Sequence, residues 1–376
     1  MTRVAGPNAE LIGRDLSIAP LDTPALILDL DRFESNVATA AATARQHGVH
    51  LRPHAKTHKC IEVARRQIRA GALGISVASV REAEKLGVDG IPSILLTAPI
   101  ASERKASRLA NIARRGIELI CAVGTLENVS MLGAAARAAG CTIGIVVDLD
   151  IGMGRTGAAC PRDALAVARH AATVEGILLR GLQAYSGLIQ HIGNYEQRAG
   201  VYRGQLRHLH EAIGMFKEVG LTLDMITGGG TGTMAVDFVH GPITDHQAGS
   251  YVFMDRQYSA VTLSPDARGL HFDNSLFLRS TVVSRSHPGK VTVDAGTKAL
   301  ALESPPPAPV HLANAEYSYF GDEHGLLTGT DLPFLGAAVD LIPAHCDTAV
   351  NLHDFLHIVR GSMLVDIWPI DARGTL

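Results

Sequence analysis

Residues 50–69 read HLRPHAKTHKCIEVARRQIR, and within twenty positions they turn from an apolar start into a loop crowded with His54, Lys56, His58 and Lys59, then into a helical stretch. Strand, loop and helix in that order form one βα unit, and the loop joining them is where α/β folds gather chemistry above a rigid sheet. Lys56 is expected at the tip of the strand. Lys59, three residues on, is its rival.

Outward from this unit the pattern repeats. Apolar, β-branched runs recur as VHLRPHAK, GISVAS, SILLTA, IELICAV, IGIVVDLD, ILLRGLQAY, LTLDMITGG and HQAGSYVF, which makes eight expected strands between residues 50 and about 252. The segments between them, such as ERKASRLANIARRG and LENVSMLGAAARAAG, space their apolar residues as helices do and end on glycine. Eight such units predict an α/β fold, a (β/α)8 TIM-type barrel. After residue 260 helix signals fade, and SLFLRSTVVSRS, GKVTVDAG and LHDFLHIVRGSMLVDIWPI predict a second, C-terminal β-rich domain. The expected division is a barrel over 32–262, with 1–31 and 263–376 forming the β-rich domain.

Composition narrows the function classes. The chain has 376 residues, a formal net charge of -3 and no basic stripe, so nucleic acid is not an expected partner. No run of about 18 apolar residues and no secretory h-region is present, and the five cysteines are scattered without CxxC spacing. The expectation is a cytoplasmic protein with no membrane association.

In a barrel the site lies where the strands end at their C-terminal side. There stand Lys56, the DLDIGMGRTG loop with Arg155, QAYSGLIQH with Tyr185 and His191, TGGGTG with Gly229, Gly230 and Thr231, and QAGSY with Gln247, Gly249, Ser250 and Tyr251. Glycine-rich loops after the last two strands suit a phosphate, because backbone N–H groups can approach it closely there. Gly152, Gly154 and Gly157 match the dinucleotide pattern GxGxxG, but Asp148 and Asp150 beside them would repel a pyrophosphate. A reactive lysine, a phosphate loop and an arginine at one barrel mouth point to pyridoxal 5'-phosphate, held through the lysine amine. In the β-rich part, PAHCDTAVNLHD offers His345 and Asp347 two apart. On a strand they would share a face, with Cys346 turned away, as an imidazole–carboxylate half-site for a divalent metal. The oxygen ligand favours Mn²⁺ or Mg²⁺ over Zn²⁺.

Taken in order, TPALILDL (23–30), RPHAKTHK, GRTG, GLQAYSG, TGGGTG, QAGSYVFMD, DAGTKA, DEHG, PAHCD and NLHD resemble the D-threonine aldolase and D-serine dehydratase family of fold-type III pyridoxal-phosphate enzymes, relatives of alanine racemase. The resemblance spans nearly the whole chain. It implies an alanine racemase-like fold in which TPALILDL belongs to the β-rich domain, and a homodimer. Lys56 would carry the cofactor, Arg155 would touch its phenolic oxygen, and Tyr185 would line the ring. Gln247 would face the pyridine nitrogen, and Gly229, Gly230, Thr231, Gly249 and Ser250 or Tyr251 would take the phosphate. His345 and Asp347 would hold the metal; the aldolases carry such a His-x-Asp, the dehydratases His-x-Cys and zinc. The implied activity is cleavage of a D-3-hydroxy amino acid to glycine and an aldehyde, with His191 as the candidate base. Dehydration of D-serine or of 3-hydroxy-D-aspartate, aldol cleavage of the latter, racemisation and a non-catalytic carrier role are the alternatives. SVASVREAE at 76–84 departs from the wording of the aldolases, which leaves the substrate open.

Overall fold

The computed structural model describes residues 6–374 except 89 and 267–268. Eight parallel strands form one sheet: β2 (His50–Leu51), β3 (Ile75–Val77), β4 (Ser93–Leu96), β5 (Glu118–Val123), β6 (Ile143–Asp148), β7 (Ile177–Ala184), β8 (Met225–Gly228) and β9 (Asp245–His246). Their order is β2-β9-β8-β7-β6-β5-β4-β3, and a parallel bridge between His54 and Ser76 links the two edges, so the sheet curls back on itself. The helices between the strands are α2 (Ile61–Arg69), α3 (Val80–Leu86), α4 (Glu103–Ala113), α5 (Leu126–Ala139), α6 (Pro161–Ala171), α7 (Tyr195–Glu218) and α8 (Met234–His240). Several start where the sequence supplies a cap: the side chains of Ser79, Ser102, Thr125 and Asn194 each accept a backbone N–H of the first turn.

Side chains alternate along the barrel strands. Ile94, Leu96, Leu119, Cys121, Ile145 and Val147 pack outward in the large core shared with the helices, whereas Leu95, Ile120, Ala122, Val146 and Met225 form a separate inner cluster. Below that inner layer lies an ionic floor: Arg52 donates to Asp245 (3.3 Å) and to Ser93 (2.6 Å), Ser93 donates to Glu118 (2.5 Å), and Arg180 also pairs with Glu118. Above it, polar side chains face the mouth. Strand β7 carries a bulge. Ile145 pairs with Leu179 but Val146 pairs with Gly181, so Arg180 is the extra residue; a Cβ on Gly181 would stand 1.7 Å from the carbonyl oxygen of Met225.

The second sheet has nine strands. β1 (Ala25–Asp29) lies between β10 (Leu276–His287) and β16 (Phe355–Arg360), and β17 (Met363–Pro369) follows β16. On the other side come β11 (Lys290–Val293), β14 (Gly325–Gly329) and β13 (Ala315–Tyr319), with β15 (Ala338–Ile342) pairing β10 and β12 (Ala308–Pro309). TPALILDL thus belongs to the β-rich sheet, as the resemblance implies, and α1 (Leu30–Gln46) leads from it to the barrel. Buried residues of α1, of residues 248–263 and of the second sheet share one core, which fixes the sheet beside the barrel mouth. No helix among the described residues is long and apolar enough to cross a membrane.

Three expected elements differ. The first barrel strand ends at Leu51, and Lys56 lies in a single 3-10 turn, Ala55–Thr57, because Pro53 cannot donate to a ladder and the His54 side chain caps the turn instead. HQAGSYVF holds only the end of β9 followed by a second 3-10 turn, Ser250–Val252. His345 and Asp347 do not stand on a strand: His345 is the N-cap of a short helix, α10 (Cys346–Asn351).

Candidate active site

The 3-10 turn that replaces the strand tip sorts the two lysines. Lys59, at φ 50°, turns inward and pairs with Glu82 at 2.8 Å, both side chains buried. Lys56 turns the other way, into a cavity of about 370 Å³ at the barrel mouth, where its side chain is 41% exposed and its Nζ meets Asp347 Oδ2. Burial pulls the Lys56 amine down, but the Asp347 charge and hydrogen bond outweigh it and the pKa ends above the ordinary lysine value. Burial pushes the Asp347 carboxyl up; Lys56 and His345 more than reverse this and hold it well below the usual range.

The barrel wall of the cavity is built of neutral hydrogen-bonding groups. Gln183 donates from Nε2 to the carbonyl of Thr97 (3.0 Å) and to Asp148 (2.9 Å), which leaves its Oε1 to accept from Gln247 (3.2 Å). Gln247 spends its other amide hydrogen on Thr227 (2.9 Å), so only its carbonyl oxygen is free for a ligand. His54 accepts at Nδ1 from the Lys56 N–H and therefore carries its proton on Nε2, 3.0 Å from the Thr97 hydroxyl. Burial, with the Lys56 charge next, pulls His54 down to about 3, so it is neutral. Arg155 and Tyr185 close one side, the guanidinium 5.7 Å from the ring centre.

Gly229, Gly230, Thr231, Gly249 and Ser250 line the floor at the expected place. Two of these glycines have a steric cause. Gly229 has φ +71°, and a Cβ there would lie 2.3 Å from His246 Nε2; on Gly249 it would lie 2.7 Å from Thr57 Oγ1. Thr57 Oγ1 is itself buried at this wall without a hydrogen-bond partner. Bare backbone, hydroxyls and one orphaned oxygen beside a lysine fit a phosphorylated aldehyde such as pyridoxal phosphate. Tyr251 stands apart: its hydroxyl accepts from Gln67 (3.1 Å), and only its backbone N–H, on Thr231 Oγ1 (3.1 Å), touches the phosphate loop. The GxGxxG match is a closed turn in which Asp150 accepts the N–H groups of Gly152, Met153 and Gly154.

The opposite wall is charged. Asp255, His345 and Cys346 bring one ligand atom each within 4.8 Å of one another. Asp255 is largely spent: Oδ2 accepts from His345 Nδ1 (2.8 Å) and the Cys346 N–H (2.9 Å), Oδ1 from the Tyr258 N–H (2.8 Å). It orients the imidazole rather than offering a free lone pair. His345 Nε2 then faces Asp347 Oδ1 at 3.8 Å, too far for a hydrogen bond and inside the limit of about 4.2 Å for two ligands each about 2.1 Å from one ion. Burial lowers His345, but Asp255 and Asp347 raise it above its ordinary value. Cys346 does not point away, because in a helix it shares this corner: its Sγ is 3.6 Å from Asp347 Oδ1, and burial, then the two carboxylates, drives the thiol far up. That keeps it protonated. The donors gathered at this corner are the His345 imidazole, the Asp347 carboxylate and the Cys346 thiol.

His191 sits at the rim beside this wall. Its ring lies 4.6 Å from that of Tyr258 and 6.3 Å from that of His345, and burial lowers its pKa. Asp255, Tyr258, Thr97 and Gln183 are the neighbours that sequence reasoning missed. Asp255 had a visible signal as the polar start of DRQYS after the last barrel strand, but its partners are about 90 residues away.

A curled eight-stranded barrel with a lysine and a glycine-rich floor at its mouth, roofed by a β-rich sheet, defines the class of barrel enzymes that use a bound aldehyde cofactor. The chain belongs to the alanine racemase-like, fold-type III pyridoxal-phosphate family: the family model "Alanine racemase, N-terminal domain" matches residues 28–257, and a serine dehydratase domain model matches 275–359. It is 40% identical to a D-threonine aldolase of Arthrobacter sp. over 95% of this chain and 94% of that one. It is 32% identical to a 3-hydroxy-D-aspartate aldolase of Paracoccus denitrificans over 96% of each. The crystal structure of a D-threonine aldolase from Filomicrobium marinum superposes with a TM-score of 0.93 at 35% identity, covering 96% of this chain and 98% of that one.

Proposed function

We propose that this protein is a pyridoxal-phosphate- and divalent-metal-dependent carbon–carbon lyase that cleaves D-3-hydroxy amino acids of the D-threonine type to glycine and an aldehyde. The observation that carries the reading is the Asp347 carboxylate, one oxygen on the Lys56 amine and the other facing His345 Nε2 at 3.8 Å. A carbon-activating amine and a hydroxyl-activating metal position therefore meet within one residue. When bound, pyridoxal phosphate supplies an electron sink for the carbanion left at Cα, and a divalent ion held by His345 and Asp347 supplies Lewis acidity to the β-hydroxyl.

The chain's own groups do the rest. His191, at the exposed rim where partial desolvation favours its neutral form, accepts the hydroxyl proton. Asp255 accepts from His345 Nδ1, so Nε2 is the nitrogen that would be left to hold the ion. His54, kept neutral, supports the Lys56 turn without adding charge. Arg155 offers the cation for the phenolic oxygen of the cofactor, while the glycine floor and Ser250 take its phosphate. Mn²⁺ or Mg²⁺ suits the imidazole–carboxylate pair, whose oxygen ligand is hard. We place the enzyme in the cytoplasm as a homodimer; its five cysteines are all free, which suits a reducing compartment.

One observation favours a second reading. Cys346 lies close enough to His345 to join a metal if it lost its proton, and a zinc site of that kind would suit dehydration with release of ammonia. The test is to incubate purified protein with D-threonine, D-serine and 3-hydroxy-D-aspartate, with Mn²⁺ or Zn²⁺ added, and identify the products. Acetaldehyde and glycine from D-threonine are expected. A keto acid and ammonia, restored by Zn²⁺ alone, would replace this reading with the second.

A further inference from the structure

His191 makes no hydrogen bond of its own within the protein among the described residues, yet a base needs a fixed place. Its neighbours supply one. Gln190, on one side, accepts the Gly232 N–H at 3.0 Å and donates to the Ser186 carbonyl at 3.0 Å. On the other side, Ile192 and Gly193 give their carbonyls to Arg198, in the first turn of α7. The same guanidinium donates from Nε to the Gly232 carbonyl at 2.6 Å and from its second terminal nitrogen to Thr262.

Among the described residues Arg198 is the largest fully buried side chain, and no carboxylate pairs with it. A cation sealed from water without a counter-charge is costly, and an apolar side chain would fill a helix face at less cost. What the arginine provides is a planar fork of donors, which holds carbonyls at fixed angles. The three segments it joins all border the site: the loop carrying His191, the glycine-rich turn, and residue 262, just past α9 (Arg256–Ser259), which carries Tyr258. Tyr258 is the ring against which His191 packs.

We infer that Arg198 is a positioning residue that sets the His191 loop against the glycine-rich turn and the Tyr258 segment, and so fixes where the base stands. The inference rests on the proposed lyase reading. Its test uses holoenzyme loaded with pyridoxal phosphate and Mn²⁺ in four forms beside wild type: Arg198→Met, Arg198→Lys, His191→Asn and the double variant Arg198→Met/His191→Asn. Misplacing a base by about 1 Å costs on the order of 10²-fold, so Arg198→Met should lower kcat by about that factor with KM unchanged. The double variant should be no slower than His191→Asn alone, because nothing remains to be positioned. Arg198→Lys, still a cation with three donors, should recover part of the rate. Losses that multiply in the double variant, or a raised KM with kcat intact, would overturn the inference. If Arg198→Met does not fold, the same cycle is run with Arg198→Lys; failure of both to fold would make the arginine a stability residue and end the inference. Wild type that cleaves no D-3-hydroxy amino acid would sink the lyase reading instead. The clamp would then be judged by amide hydrogen exchange over 188–194, which should rise in Arg198→Met and would refute the clamp by staying at the wild-type level.

Discussion

The two walls of the cavity are made of different matter. The barrel wall runs through neutral groups, the Thr97 carbonyl, Gln183, Gln247 and the Thr227 hydroxyl, each bonded to the next, with Asp148 behind Gln183 and Arg155 at its side. The facing wall is a knot of charge, Asp255, His345 and Asp347, built on a loop and a short helix of the other sheet's segment. A neutral, rigid wall suits a planar cofactor whose own charges should not be perturbed; a charged wall suits a hydroxyl that must lose a proton. The contrast teaches that cofactor retention and turnover are separable properties of this site, and that Lys56 is the residue at which they join.

The sharpest way to break the contrast is at that junction. Lys56→Ala should abolish turnover and the borohydride-reducible visible absorbance together, whereas Lys59→Ala should keep the absorbance and lose about 3–5 kcal/mol of unfolding free energy by stranding the buried Glu82. Absorbance lost in the Lys59 variant and kept in the Lys56 variant would reverse the assignment. Next in size is the charged wall alone. Chelation, or Asp347→Ala, should lower kcat by about 10²-fold or more, a Lewis acid being worth several kcal/mol, with the cofactor spectrum retained. Undiminished activity in metal-stripped protein would remove the metal from the scheme.

His191→Ala should cost about 10²–10⁴-fold in kcat at unchanged cofactor affinity. The sign of the pH dependence follows from the partial desolvation that lowers the pKa of His191 at the exposed rim: the ring accepts a proton only while neutral, so activity should fall as the pH drops through that lowered pKa. His191→Asn should remove that acid limb. If the limb persists unaltered, another group is the base. The smallest effect belongs to the neutral wall: Gln247→Leu breaks two hydrogen bonds and should weaken cofactor binding by about tenfold, with kcat of the saturated enzyme within a few-fold of wild type. A loss in kcat larger than that of the charged-wall variants would abolish the division between the walls.

Much of this was legible before any coordinates. The eight βα units show in the spacing of apolar residues, because inner and outer faces of a barrel strand must both be filled. Lys56, the glycine-rich turn, and the pair His345 and Asp347 are residue types seldom put at strand ends without use. What stayed hidden is the local backbone. HQAGSYVF alternates like a strand, yet Ser250, Tyr251 and Val252 are all buried, the last two in the core shared with α1 and the second sheet, and a short apolar run cannot be told from a turn by period alone. HCD looked extended because three polar or small residues carry no helix period; the buried Ala349 and Val350 one turn on mark the helix. Asp255 and Thr97 could not be named because their roles arise only from contacts between distant segments.

The bulge at Arg180 sets the phase of everything after it. Before it, Leu179 packs outward with the helices and Arg180 reaches the ionic floor; after it, Leu182 and Ala184 pack outward, and Gln183 and Tyr185 reach the mouth. Side chains alternate with a period of two, so the same residues run through without the bulge would send Leu182 and Ala184 into the cavity and bury Gln183 and Tyr185 among the helices. Away from the bulge, deletions and insertions in β7 are therefore not graded changes in length but switches of parity. Deletion of Arg180 itself would only straighten the strand, leaving Val146 opposite Gly181 and the polar wall standing, whereas a one-residue deletion between Gly181 and Gln183 with the bulge kept would turn the wall over. Lineages of this fold can drift in sequence along that strand, but a one-residue gap within it should fall at the bulge.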